Sequence, residues 1–147
     1  MIVIRFAVIG TSTITRKFLT VAAEVPRLQF AGAYSRSLER AKAFGAEYGA
    51  RLAFDSLDAL AEDERVDAVY IASPNAFHSE QAVRLLRAGK HVLCEKPIAR
   101  TLAEGREFVQ AVREAPENIW RNSKKPEQEL YLLFLRLLLP KLWQETG

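Results

Sequence analysis

A chain of 147 residues with 49% hydrophobic and 27% charged residues carries enough apolar material for one buried core and leaves no room for two domains of ordinary size. Its formal charge of +3 comes from interspersed Lys, Arg, Asp and Glu rather than a basic block, which argues against nucleic acid as a partner and leaves small anionic ligands open. A lone cysteine, Cys94, excludes an intramolecular disulfide framework and a multi-cysteine metal site, and fits a reducing, cytoplasmic setting.

In chain order, β-branched and apolar runs predict strands over Ile2 to Ile9, Leu28 to Tyr34, Arg51 to Phe54, Val66 to Ala72 and His91 to Glu95. The first of these carries Arg5 and lacks a small-residue cleavage site, so it reads as a strand and not as a signal peptide. Helical patterns follow the strands at about Thr13 to Val25, Leu38 to Tyr48, Ser56 to Ala61, Phe77 to Ala88 and Leu102 to Ala115. This alternation is that of βαβ units, and continuous runs such as VDAVYIA suit strands covered on both faces. The expected fold is therefore α/β with a doubly wound parallel sheet, one domain over residues 1–115, with Gly49 and Gly89 as helix stops.

After Ala115 the character changes. Residues 116–147 hold both Trp residues, a polar stretch RNSKKPEQE and a Leu-rich run, and they read as a partly helical tail without a sixth strand. The run from Leu130 to Leu139 is interrupted by Arg136 and falls well short of the roughly 20 apolar residues that span a bilayer, so no membrane partner is expected.

Ligands of open parallel sheets bind beyond the C-terminal strand ends, so those ends carry the functional candidates. The first ends in Gly10, Thr11, Ser12, Thr13 and Ile14. Gly10 stands where the first glycine of a G-x-G-x-x-G turn belongs, but Ser12 and Thr15 replace the other two. Either the helix start binds phosphate through its free N–H groups, with Ser12 donating a further hydrogen bond, or this is a plain strand-to-helix turn capped by Ser12 or Thr13. The second strand ends in Ser35 and Arg36, donors suited to a 2′-phosphate, where an acid would read the ribose of NAD. NADP is thereby favoured over NAD; the alternative makes Arg36 a solvated residue before a helix capped by Ser37.

The fourth strand leads into Ser73, Pro74 and Asn75, with His78 beyond; Asn75 could cap the next helix and His78 could lie exposed on its first turn. The fifth leads into Cys94, Glu95, Lys96 and Pro97. Lys96 could polarise a substrate carbonyl or shuttle a proton, unless Glu95 and Lys96 are a surface pair before a proline. Cys94 reads as a buried strand residue with no activated thiolate.

The segments AVIGTSTIT, AYSRSLERAKAFGAEYG, VDAVYIASPNAFHSEQA and GKHVLCEKPIARTLAEG, in this order and spacing from about Ile4 to Ala115, resemble the Gfo/Idh/MocA oxidoreductases. The match is to the branch with a polar residue at the middle glycine of the phosphate loop. The resemblance implies a Rossmann domain binding NADP or NAD, hydride transfer to or from a sugar, polyol or related carbonyl compound, and homo-oligomers built through a second domain. It places Lys96 beside nicotinamide and substrate in a catalytic role, and Asn75 and His78 in the loop lining the cofactor. It also implies a cis bond before Pro97 and cofactor contacts from the first turn (Gly10 to Ile14), from Ser35 and Arg36, and from Ser73, Pro74 and Glu95.

Family members continue through a sixth strand and an α/β substrate domain, whereas the only histidines here are His78 and His91, so the downstream catalytic histidine of many members has no counterpart. The expectation is the dinucleotide-binding domain of an oxidoreductase, with a non-catalytic NADP-binding module or an inactive truncated product as the alternative. The tail is then either the consequence of a truncation or frameshift near Ala115 or part of a short form in which it packs as a helix.

Overall fold

The structure, a computed structural model, describes residues 3–115. The partly helical tail expected over 116–147 and the start of the first predicted strand at Ile2 lie outside the described residues. Within them runs the alternation β1 (Ile4–Ile9), α1 (Thr13–Ala22), β2 (Leu28–Tyr34), α2 (Leu38–Glu47), β3 (Leu52–Phe54), α3 (Leu57–Glu62), β4 (Ala68–Ile71), α4 (His78–Arg87), β5 (His91–Cys94) and α5 (Leu102–Glu114), with a 3-10 turn over Asn75–Phe77. The five strands pair in the order β3-β2-β1-β4-β5, all parallel. The order reverses direction between β1 and β4, which opens a crevice at their C-terminal ends.

Each helix begins for a local reason. Ser37, Ser56 and Thr101 accept hydrogen bonds through their side chains from the N–H three residues on, satisfying donors that a helix start leaves open. α1 stops at Ala22, short of the expected Val25, because Pro26 disfavours helical geometry at the residue before it. The fourth strand and fourth helix are also shorter than predicted: β4 is confined to Ala68–Ile71, and α4 starts at His78, after the 3-10 turn.

The core has two layers. On one face α1 and α2 pack on Phe6, Val8, Ala33 and Tyr70; on the other α3 and α4 cover Ala7, Ile9, Val69 and Ile71. Phe18 of α1, 1% exposed, stacks on Tyr70 of β4 with ring centroids 3.9 Å apart and meets the edge of Phe6 of β1 at 5.7 Å. Burying one such ring contributes about 1.5–3 kcal/mol, and each aromatic pair about 0.5–1.5 kcal/mol more, so this stack fixes α1 over the seam between β1 and β4.

At the opposite, N-terminal rim the charges serve the architecture. Arg5 of β1 grips Asp67 through Nε at 2.9 Å and Nη2 at 2.7 Å, and the buried Lys90 donates to the carbonyls of Asp63 and Val66 at 2.6 Å each. Burial draws the Lys90 ammonium below the ordinary lysine value.

Candidate functional site: a cleft at the β1, β2 and β4 ends

The turn after β1 is built on Gly10. Its φ of 101° belongs to the region that side chains avoid, and a Cβ there would lie 2.5 Å from the carbonyl oxygen of Ala72. Absence of a side chain therefore lets the first turn and the β4 exit touch backbone to backbone. Ser12 follows at the N-cap position in an extended conformation, but its hydroxyl makes no capping bond. Of the two expected roles for Ser12, side-chain capping is not the one observed, and the exposed hydroxyl is left for another acceptor.

Thr13 is exposed, while Ile14 packs its side chain on the core, so from these residues the helix start presents backbone N–H groups. No acid occupies the first turn of α1, which leaves the positive end of its dipole uncancelled. Thr15, at the third glycine position, is fully buried and its hydroxyl has no hydrogen-bond partner.

Across from this turn, a cleft of about 350 Å³ is walled by Gly10, Thr11 and Ser12, by Ser35 and Arg36 at the β2 end, and by Ser73 and Pro74 at the β4 end. Arg40 and Gln81 complete the polar wall, and sequence reasoning missed both. Arg40 was within reach: with Ser37 capping α2, it stands in the first turn of that helix, beside the β2 end. Gln81 carried no signal of its own; it is buried and accepts a hydrogen bond from the Ser73 hydroxyl at 2.5 Å.

Arg36 and Arg40 are exposed, and neither guanidinium is engaged in an ion pair among the described residues. Arg5, Arg16, Arg65, Arg84, Arg87 and Arg100 meet carboxylates, and Arg51, Arg106 and Arg113, which stand outside these ion pairs, lie away from the cleft. The Arg36 guanidinium lies instead 5.9 Å from the centre of the Phe77 ring, on the rim of the cleft. Ser37 does cap α2, as the bland reading of this segment held, yet Arg36 still faces the cleft.

Asn75, expected as a cofactor contact or a helix cap, is exposed in the 3-10 turn and caps nothing. His78 needs a larger correction. It is 1% exposed, neither solvent-facing nor on the cleft wall, because Nδ1 lies 2.8 Å from the Pro97 carbonyl and Nε2 lies 2.6 Å from the Ser73 carbonyl. Both neighbours are carbonyl acceptors, so the neutral ring donates to one of them, and at 1% exposure it stands behind the cleft wall rather than on it.

Glu95 and Lys96 follow β5, one strand beyond the cleft wall. The Glu95 carboxylate accepts a hydrogen bond from the Tyr70 hydroxyl at 2.5 Å, while Lys96 is exposed and the Lys96–Pro97 bond is cis, as the resemblance implied. Burial, and then the hydrogen bond to Glu95 and its charge, raise the Tyr70 phenol beyond its usual range. Burial and Glu95 likewise push the half-buried Cys94 thiol up to about 12, so it is no nucleophile. Among the described residues no helix is long and apolar enough to cross a membrane.

The profile of an oxidoreductase family with an NAD-binding Rossmann fold matches residues 4–123. The scyllo-inositol 2-dehydrogenase (NADP(+)) of Bacillus subtilis is 51% identical over 110 residues, which cover 75% of this chain and 34% of that enzyme. The 1,5-anhydro-D-fructose reductase of Ensifer adhaerens is 43% identical over 111 residues, covering 76% and 33%. Among solved structures, a 3-ketoreductase from Actinomadura kijaniata in complex with NADP superposes with a TM-score of 0.70 at 36% identity, over 77% of this chain and 36% of that one. The chain thus spans about a third of the length of the curated relatives it matches, and the matched third is the nucleotide-binding domain. On these matches, and on a parallel sheet with its crevice where the motifs fall, the chain belongs to the Gfo/Idh/MocA oxidoreductase family.

Proposed function

We propose that the cleft binds NADP and that the chain is the cofactor-binding part of an oxidoreductase acting on a sugar, a polyol or a related carbonyl compound. The observation that carries this reading is the pair of unneutralised guanidinium groups, Arg36 and Arg40, beside Ser35 at the β2 end. A carboxylate there would repel a 2′-phosphate; these three side chains offer it donors and charge. Each charge-assisted hydrogen bond contributes about 1.5–3 kcal/mol, or roughly 10- to 150-fold in affinity.

In this reading the diphosphate lies on the N–H groups of Thr13 and Ile14, with the Ser12 hydroxyl as a further donor and the Gly10 turn giving close approach. Pro74 and the Ser73–Gln81 pair wall the channel toward β5. The nicotinamide supplies or accepts the hydride when bound. Lys96 polarises the substrate carbonyl or holds a proton at Nζ, and Glu95 and Asn75 border the nicotinamide end. The substrate is a small molecule, the setting is cytoplasmic, and the full-length protein is a homo-oligomer built through its substrate domain. NAD is the weaker cofactor.

A second reading, a dinucleotide-binding module without chemistry, is favoured by one observation: the His78 ring is sealed into the structure, so that among the described residues past β5 Lys96 is the exposed acid–base candidate. Titration of the chain with NADPH and NADH, followed by a turnover assay over sugars and polyols, separates the readings. Tight NADPH binding with Lys96-dependent turnover supports the enzyme; binding without turnover supports the module.

A further inference from the structure

Lys96 has no hydrogen bond or ion pair of its own among the described residues, and its side chain is exposed. Its neighbours on both sides are held. Before it, the Glu95 N–H donates to the Ile71 carbonyl at 2.9 Å, and the Glu95 carboxylate accepts from the Tyr70 hydroxyl at 2.5 Å. Tyr70 is 3% exposed and stacked on Phe18, so this anchor is set in the core. After it, the Pro97 carbonyl lies 2.8 Å from Nδ1 of the buried His78, whose Nε2 lies 2.6 Å from the Ser73 carbonyl of the β4 loop; the neutral ring donates to one of the two, and the Nδ1–H tautomer is the one that holds Pro97. Proline has no N–H, so its carbonyl is the one backbone handle at that position.

We infer that Tyr70 and His78 are positioning residues: they fix Glu95 and Pro97 on either side of Lys96, so that the lysine projects from a rigid backbone toward the nicotinamide end of the bound nucleotide. The two anchors come from opposite faces of the sheet. Tyr70 belongs to the layer covered by α1, whereas His78 opens α4 in the other layer. The buried His78 ring also packs between the turn of Lys96 and the loop of Ser73, within 2.8 Å of a carbonyl of each, and so spaces the lysine from the cleft wall. Catalytic constellations need their groups held to about half an ångström, and anchors on both sides of Lys96 serve that requirement. The inference rests on the NADP reading for what Lys96 faces, but not for the rigidity of its turn.

The test is amide relaxation by NMR on the ligand-free chain, followed by nuclear Overhauser contacts with bound NADPH. Tyr70→Phe keeps the ring stack and removes only the hydroxyl; His78→Asn shortens the other anchor. In the unsubstituted chain the Lys96 amide should be rigid, with an order parameter of about 0.85, and in each variant it should fall below about 0.6 while the amides of β1 and α1 keep their values. With NADPH bound, the contact between the nicotinamide and the Lys96 side chain should weaken several-fold in both variants, and adenine contacts near Arg36 should persist. An unchanged Lys96 order parameter in a folded Tyr70→Phe protein overturns the inference, as does loss of order throughout the sheet, which would make the bond merely structural. If the unsubstituted chain does not bind NADPH at all, the reading of the cleft fails, and the relaxation data still decide whether the turn is anchored.

Discussion

The carbonyl oxygen of Ala72, at the end of β4, lies 2.5 Å from the point where a β-carbon on Gly10 would stand. The two strand exits that bracket the crevice are therefore packed as closely as backbones allow. Gly10→Ala must push them apart and must also hold an L-residue at a φ of 101°. The backbone term alone costs about 1–3 kcal/mol. We expect a lowered urea midpoint together with weakened nucleotide binding, and an unchanged midpoint would show that the turn relaxes freely.

Thr15 gives the opposite expectation. Its hydroxyl is buried without a partner, and valine has the same shape without the polar atom. Since an unsatisfied buried group costs about 1–3 kcal/mol, Thr15→Val should stabilise the fold, by about 1 kcal/mol. Calorimetry on the variant would show a raised melting temperature; a fall would mean that the hydroxyl has a partner in solution.

The pH dependence should be acidic in origin. Burial raises the Asp67 carboxyl, but the hydrogen bonds and charge of Arg5 outweigh it and leave the group below the ordinary aspartate value; Arg65 does the same for Asp63. Groups depressed on folding stabilise the native state above their unfolded pKa, near 4, and lose that contribution as the pH falls through it toward the folded value. Unfolding midpoints should be flat around neutrality and drop below about pH 4, and Asp67→Asn should lower the neutral plateau and shrink the acid-side loss. An identical acid limb in that variant would remove Asp67 from the account.

For Lys96, replacement of the equivalent lysine by methionine in a full-length relative should cut turnover by about 10²- to 10⁴-fold, the usual worth of a positioned acid or base, with cofactor affinity little changed. Unchanged turnover would end its catalytic role.

Much of this was legible in the chain itself. The doubly wound parallel sheet follows from the alternation of β-branched runs and helical patterns, and Gly10, Ser35 and Arg36 were identifiable as cleft candidates because their positions after strand ends are fixed by backbone geometry. His78 was not, since a histidine seven residues past a strand reads the same whether its ring faces solvent or reaches a carbonyl nineteen positions downstream. Tyr70 looked like one more apolar strand residue; only the neighbouring strand shows that its hydroxyl meets Glu95. Long-range pairing of polar atoms leaves no periodic trace, whereas helices and strands do.

The central claim is that unneutralised arginines at the β2 end choose NADP. It is tested most directly by calorimetric titration of NADPH and NADH into the unsubstituted chain, Arg36→Ala and Arg40→Ala. Saturable binding with NADPH preferred is expected, with a loss of roughly tenfold or more for NADPH on each substitution and little change for NADH. Equal losses for the two nucleotides, or no saturable binding of either by the folded chain, would contradict it.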